Sequence, residues 1–171
     1  EMCIRDSLEG TEYAEAISSS LEDYKKFGLA PVLVSLERAY YSSLWNEVQR
    51  RKPQRKILRK LVGFQVDAVN AKLILRLKEA NVVGQEIEKY LVRPANELTE
   101  TMLKAMIVAE DLKSAIHAVR ITTVGQVLTE AMEEIERGGV EAVERALEKH
   151  YLKLCKWLEL TNQFSIAPVV S

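Results

Sequence analysis

Apolar residues recur at spacings of three and four along nearly the whole chain, and period-two alternation never persists. On a backbone that turns once every ~3.6 residues, this pattern lines one face of a helix, whereas a half-buried strand needs strict alternation. The residue choice agrees, because Ala, Leu, Glu, Lys and Arg dominate and lose little freedom in a helix. The expectation is an all-α fold with no sheet. Thr11 is placed to cap a first helix, Glu12 and Glu15 favour its positive end, and Phe27-Gly28 ends it. Pro31, whose missing amide costs nothing in a first turn, opens a second helix to about Arg51 with the stripe Val32, Leu33, Leu36, Tyr40, Leu44 and Val48. Pro53 interrupts the pattern, and a long helix follows to about Ala80. Gly84 starts a shorter one through Tyr90-Leu91, halted ahead of Pro94. Helices near 99–119, 122–137 and 140–160 complete the reading.

With 171 residues, 47% of them hydrophobic and 29% charged, the chain can bury a substantial core and is not disordered or collagenous. Its 24 basic and 25 acidic side chains nearly cancel, so bulk charge does not mark a nucleic-acid binder. Cys3 and Cys155 have no metal-ligand spacing and read as free thiols of a reducing compartment. No segment approaches the ~18 uncharged apolar residues of a membrane span, and Arg5, Asp6, Glu9, Glu12 and Glu15 argue against a secretory signal. Peripheral attachment to a membrane complex stays open.

Sliding the chain by 111 residues lays Thr11 on Thr122, Ile17 on Leu128, Leu21 on Met132 and Gly28 on Gly139. In the same register, Leu36-Glu37-Arg38 with Tyr40 meets Leu147-Glu148-Lys149 with Tyr151. A shared glycine hinge and a Leu-Glu-basic-x-Tyr run without a gap indicate an internal duplication, and repeated helical units build extended bodies by packing each on the next. Two units are expected, 1–82 and 83–171. The counterpart of the long helix after Pro53 would begin near residue 164, so the second unit is expected to be incomplete or the protein truncated. Leu152, Trp157 and Leu160 would then form an exposed apolar strip that self-association could cover. Trp45 and Trp157 are both expected in core or interface packing.

The densest patterned stretch is Gln65–Lys78, where Val62, Val66, Val69, Leu73 and Leu77 make a buried stripe. Asn70 stands beside that stripe and should be at least partly buried, with Asp67 on the same side. Arg76, nine residues after Asp67, points about 180° away, so the two cannot pair on a straight helix. Asp67, Asn70, Arg76 and Lys78 lack an accompanying nucleophile, metal triad or carboxylate pair. The reading is structural: Asn70 ties down a neighbouring helix end or loop through its amide, and the charges finish the packing. Arg50, Arg51, Lys52, Arg55, Lys56, Arg59 and Lys60 form a run of bases with no acid among them. Such a run suits nucleic acid, an acidic protein surface or anionic lipid headgroups; without interleaved aromatics it favours protein or headgroup docking. The block Glu130, Glu133, Glu134, Glu136, Glu141, Glu144 and Glu148 reads as a solvated face. His117 and His150 have no metal-ligand spacing, and Gly138-Gly139 is a hinge without the later Gly or Lys of a phosphate loop. No catalytic residue, cofactor or metal is expected.

Asp67-x-x-Asn70 followed by Leu75-Arg76-x-Lys78 resembles the signature of the C subunit of archaeal-type and related bacterial vacuolar-type ATP synthases, the family that includes the d subunit of eukaryotic vacuolar ATPases. Glu86-Ile87, Lys89-Tyr90-Leu91, the Leu98–Leu103 segment and Phe164–Val169 agree with it, so the resemblance covers nearly the whole chain. Its members are about twice this long and built of three similar helical units, which makes this chain resemble a middle fragment lacking both flanks. The resemblance implies a noncatalytic, funnel-like helical socket on the cytoplasmic face of the membrane. Its implied partners are central shaft subunits and the membrane proteolipid ring, with lipid headgroups beside them and no nucleic acid. Rotation would pass through the socket, while nucleotide and transported ion bind other subunits. A generic helical protein-interaction domain and a helical nucleic-acid binder using Arg50–Lys60 are the competing classes.

Overall fold

The computed structural model describes residues 10–50, 55–80 and 84–161. Among the described residues there are eight helices and no strand. They are α1 Glu12–Phe27, α2 Ala30–Arg50, α3 Arg55–Glu79, α4 Gly84–Glu88, α5 Glu100–Val108, α6 Leu112–Ala118, α7 Thr123–Glu130 and α8 Met132–Thr161.

The long helix α3 is the spine. Leu61, Phe64, Val66, Ala68, Val69, Ala71, Leu73, Ile74 and Leu75 are all buried, more than one face of an amphipathic helix can supply, so α3 is packed on several sides at once. Val66 and Val69 meet Trp45 and Val48 of α2 together with Val92. Phe64, Ala68, Ala71, Ile74 and Leu75 join the main core with α4 to α8, including Ile87, Leu103, Met106, Ile116, Leu128 and Leu147. Leu61 closes against Cys155 and Leu158 near the end of α8. The helix thus shares its core with both the α1–α2 hairpin and the later helices.

Positions 111 residues apart share local geometry. Gly28 (φ 71°, ψ −149°) and Gly139 (φ 57°, ψ −145°) both break the helix in the left-handed half of backbone space, where a side chain is strained. Thr11 and Thr122 both stand in extended backbone just before a helix. α2 and the part of α8 after Gly139 then run side by side with α3 as two long arms. Their capping differs: Thr122 Oγ1 accepts the Gly125 N–H at 3.1 Å, whereas Thr11 makes no side-chain cap bond.

Several sequence expectations are corrected, and the helix expected near 122–137 divides at Ala131 between α7 and α8. Of the α2 stripe, only Val48 is fully buried; Ser35 and Trp45 turn inward, and Leu33 and Tyr40 face out. Apolar residues surround the first turns of α2, so their spacing leaves its rotation undecided. Burial of the large Trp45 indole among Val66, Val69 and Val92 settles it. The segment near 99–119 is two helices, because Asp111 Oδ1 accepts the Ser114 N–H at 2.7 Å and starts α6 afresh. α4 stops at Glu88. Trp157 is 50% exposed, and with Leu152 at 62% and Leu160 at 63% it lies on the outer side of α8.

Candidate functional site

Asp67 and Asn70, three residues apart on α3 and so on one face, hold the loop between α4 and α5. Asn70 is wholly buried. Its Nδ2 donates to the Val92 carbonyl at 3.0 Å, and its Oδ1 accepts the Val92 N–H at 2.8 Å. The side-chain amide thereby satisfies both polar groups of one buried peptide position, as a strand neighbour would. One turn earlier, the Asp67 carboxylate accepts the N–H groups of Asn96 at 2.9 Å, Glu97 at 2.7 Å and Leu98 at 3.4 Å. Burial pushes the Asp67 carboxyl above its ordinary value, while these three N–H bonds pull against that rise. Between the two anchors lies the cis Arg93–Pro94 peptide.

The loop passes this hold onward. Glu97 accepts the Thr123 N–H at 2.7 Å and its hydroxyl at 3.1 Å, placing a carboxylate at the positive start of α7. Thr122 Oγ1 donates to the Val119 carbonyl at 2.8 Å, so α6 and α7 are locked across their joint. Lys78 donates to the carbonyls of Ile107, at 3.1 Å, and Ala109, taking up orphan acceptors at the end of α5. Arg76 pairs with Glu144 of α8 across an exposed surface. Asp67 and Asn70 converge on one loop, whereas Lys78 ties α3 to the end of α5 and Arg76 ties it to α8. Nothing in the sequence points to Glu97 or to the carbonyl partners of Lys78, because these contacts join residues about 30 positions apart, separated by chain turns that no spacing rule encodes.

Of the basic run, Arg51 and Lys52 lie outside the described residues, and only the backbone of Arg55 is described. Arg50 ends α2, and Lys56, Arg59 and Lys60 are exposed on the first turns of α3. These three line a cleft of about 500 Å³ with Phe64 and Asp67 of α3, Asn96 and Glu97 of the loop, Thr123 of α7, and His150 and Leu154 of α8. His150 lies against Phe64, ring centroids 4.9 Å apart, and Lys60 Nζ stands 4.8 Å from the Trp157 ring centroid. Among the described residues no three His, Cys, Asp or Glu side chains gather as a metal site. The arrangement offers charge and apolar surface for holding a partner.

Burial lowers the His150 pKa from 6.5; Glu130 pulls it up and Lys153 pushes it down. The folded chain then binds fewer protons at this site than the unfolded chain just below pH 6.5, so this contribution to stability is lost as pH falls through that window. His150→Gln should flatten the dependence of the urea midpoint on pH below 6.5. An unchanged slope would assign it to another group.

A protein-family model described as ATP synthase (C/AC39) subunit matches residues 4–171. The chain belongs to that family. Among curated relatives, the A-type ATP synthase C subunit of Methanobrevibacter smithii is 32% identical over 96% of this chain and 44% of its own length. That of Pyrococcus abyssi is 32% identical over the same shares, and that of Methanocaldococcus jannaschii 29% identical over 95% of this chain and 41% of its own. The chain thus spans less than half the length of these family members. No solved structure shows a significant match. Among the described residues no helix is long and apolar enough to cross a membrane.

Proposed function

We propose that this chain is a noncatalytic part of the central stalk of a rotary ATP synthase, coupling the shaft to the membrane proteolipid ring. It would act on the cytoplasmic face, attached peripherally, while nucleotide and transported ion bind other subunits. The observation that carries this reading is family membership, with relatives named as the C subunit of A-type ATP synthase. The structure supports the mechanical half of it. A part that transmits torque must resist shear between its helices, and α3 is bonded side by side to the loop at Val92 and Asn96–Leu98, to the end of α5 and to α8. Shear would have to break several buried or charge-assisted bonds together.

The basic run Arg50–Lys60 would steer and register docking on neighbouring subunits, with apolar and hydrogen-bonded contacts supplying most of the lasting affinity. Neutralising Arg51, Arg55 and Arg59 together should weaken assembly with shaft and ring more at low than at high salt, since salt already screens part of the attraction. ATP hydrolysis by the detached catalytic head should be unchanged, and ion translocation coupled to hydrolysis should fall modestly. Normal assembly and coupling of the triple variant at every ionic strength would return the run to solvated surface. Full-length wild-type protein that binds neither shaft nor ring would overturn the coupling role itself.

A further inference from the structure

We infer that the cleft between α3 and α8 is a groove for an acidic amphipathic helix of a partner protein, an inference that deepens the docking role proposed above. The two walls run antiparallel. Lys60 lies beside Trp157, Phe64 beside His150, and Arg76 reaches Glu144 farther along. On the α3 wall, Lys56, Lys60 and Phe64 recur at a spacing of four, about 6 Å apart along the axis. On the α8 wall, His150 and Leu154 stand four apart, and Trp157 follows three residues on, at the rim beside Lys60. Cationic and apolar subsites thus follow one another at the pitch of a helix, the pattern by which grooves read helical anchors.

Charge gives the groove a direction. None of Lys56, Arg59 and Lys60 is in an ion pair among the described residues. They stand at the start of α3, where the aligned peptide dipoles add positive potential. At the other end, the carboxylates of Asp67 and Glu97 are already engaged by N–H donors. The three unpaired cations therefore stand at one end of the cleft and the two N–H-bound carboxylates at the other, with Phe64 and Leu154 also lining it. A helix carrying carboxylates at i and i+4, followed by an apolar residue one turn on, matches this order. The chain's own residues 162–171 contain no Asp or Glu and cannot supply it. On the acidic face of a second copy, Glu136, Glu141 and Glu144 are already paired with Lys113, Arg145 and Arg76, and a crosslink to that face would assign the groove to self-association instead.

The test compares two variants of the full chain carrying the same charge change. Lys56→Glu/Lys60→Glu alters the groove, and Lys25→Glu/Lys104→Glu alters exposed positions of α1 and α5 outside it. The probe is a fluorescent, helix-stabilised peptide with Glu at i and i+4 and Leu at i+8, titrated at low salt beside a twin with Lys in place of Glu. Wild type should prefer the Glu peptide. The groove variant should bind it at least about tenfold more weakly and prefer the Lys twin, while the control variant stays within about threefold of wild type. A photo-crosslinker at position 56, in the assembled complex, should mark a partner helix with acidic residues one turn apart. No binding of the Glu peptide, equal loss in both variants, or crosslinks to lipid, to a second copy or to a segment without acids would overturn the groove assignment. Because the peptide arm needs neither shaft nor ring, it separates failure of the groove from failure of the coupling role.

Discussion

Asn70→Ala should destabilise the chain by about 2–4 kcal/mol, because it strips the partners from two buried backbone groups at once. The Val92 N–H and carbonyl bond only to this amide among the contacts described, at 2.8 and 3.0 Å, and Asn70 is fully shielded from water. Each orphaned group costs about 1–3 kcal/mol, and the vacated amide volume adds a small cavity. Asn70→Asp provides the internal comparison: it can still accept the Val92 N–H, but it loses the donor and buries a carboxyl beside Asp67. Urea melts of both variants, at matched pH, read the effect. A midpoint unchanged in Asn70→Ala would mean that the loop at Val92 does not depend on the amide. The two anchors grip one loop, so Asn70→Ala and Asp67→Ala should be non-additive, with the double variant costing less than the sum.

Gly125→Ala is expected to cost about 3 kcal/mol or more, the upper range for forcing atoms into filled space. A Cβ at this position would lie 1.9 Å from the Val119 carbonyl oxygen, 2.4 Å from its carbon and 2.8 Å from Arg120 Cα. All three are backbone atoms, so no side-chain rotation relieves the clash. The same turn holds Thr122, whose hydroxyl accepts the Gly125 N–H and donates to Val119, so moving α7 outward would break the joint with α6. Ala is otherwise the best helix former and would stabilise an open helical position relative to Gly. A thermal melt showing stabilisation would therefore mean that α6 and α7 do not approach each other this closely.

Much of the fold follows from spacing alone. The period of three to four, the absence of alternation, and the breaks at Gly28 and Gly139 are local, and a helix responds to residues within one turn; the break expected at Pro53 lies outside the described residues. The burial of Asn70 is legible for the same reason, since its neighbours Val66, Val69 and Ile74 are apolar and the helix period puts them around it. The rotation of α2 is not set locally: its first turns are apolar on all sides, and only the fit of Trp45 against α3 chooses the inward face. Asp111 is indifferent between a helix interior and a cap until α5 has ended on the Lys78 ammonium and the chain must turn. The cleft is a product of three dimensions. Lys56, Phe64, Glu97, Thr123 and His150 are spread over more than half the described chain, and they meet because α3 and α8 pack antiparallel and Asp67 draws the loop against them. Where the helices run and which faces are apolar is written in the order of residues, because both depend on interactions within a few positions. Which helices meet, and which polar groups they leave free at their junctions, depends on long-range packing, whose free energy is shared among many contacts and carried by no single motif.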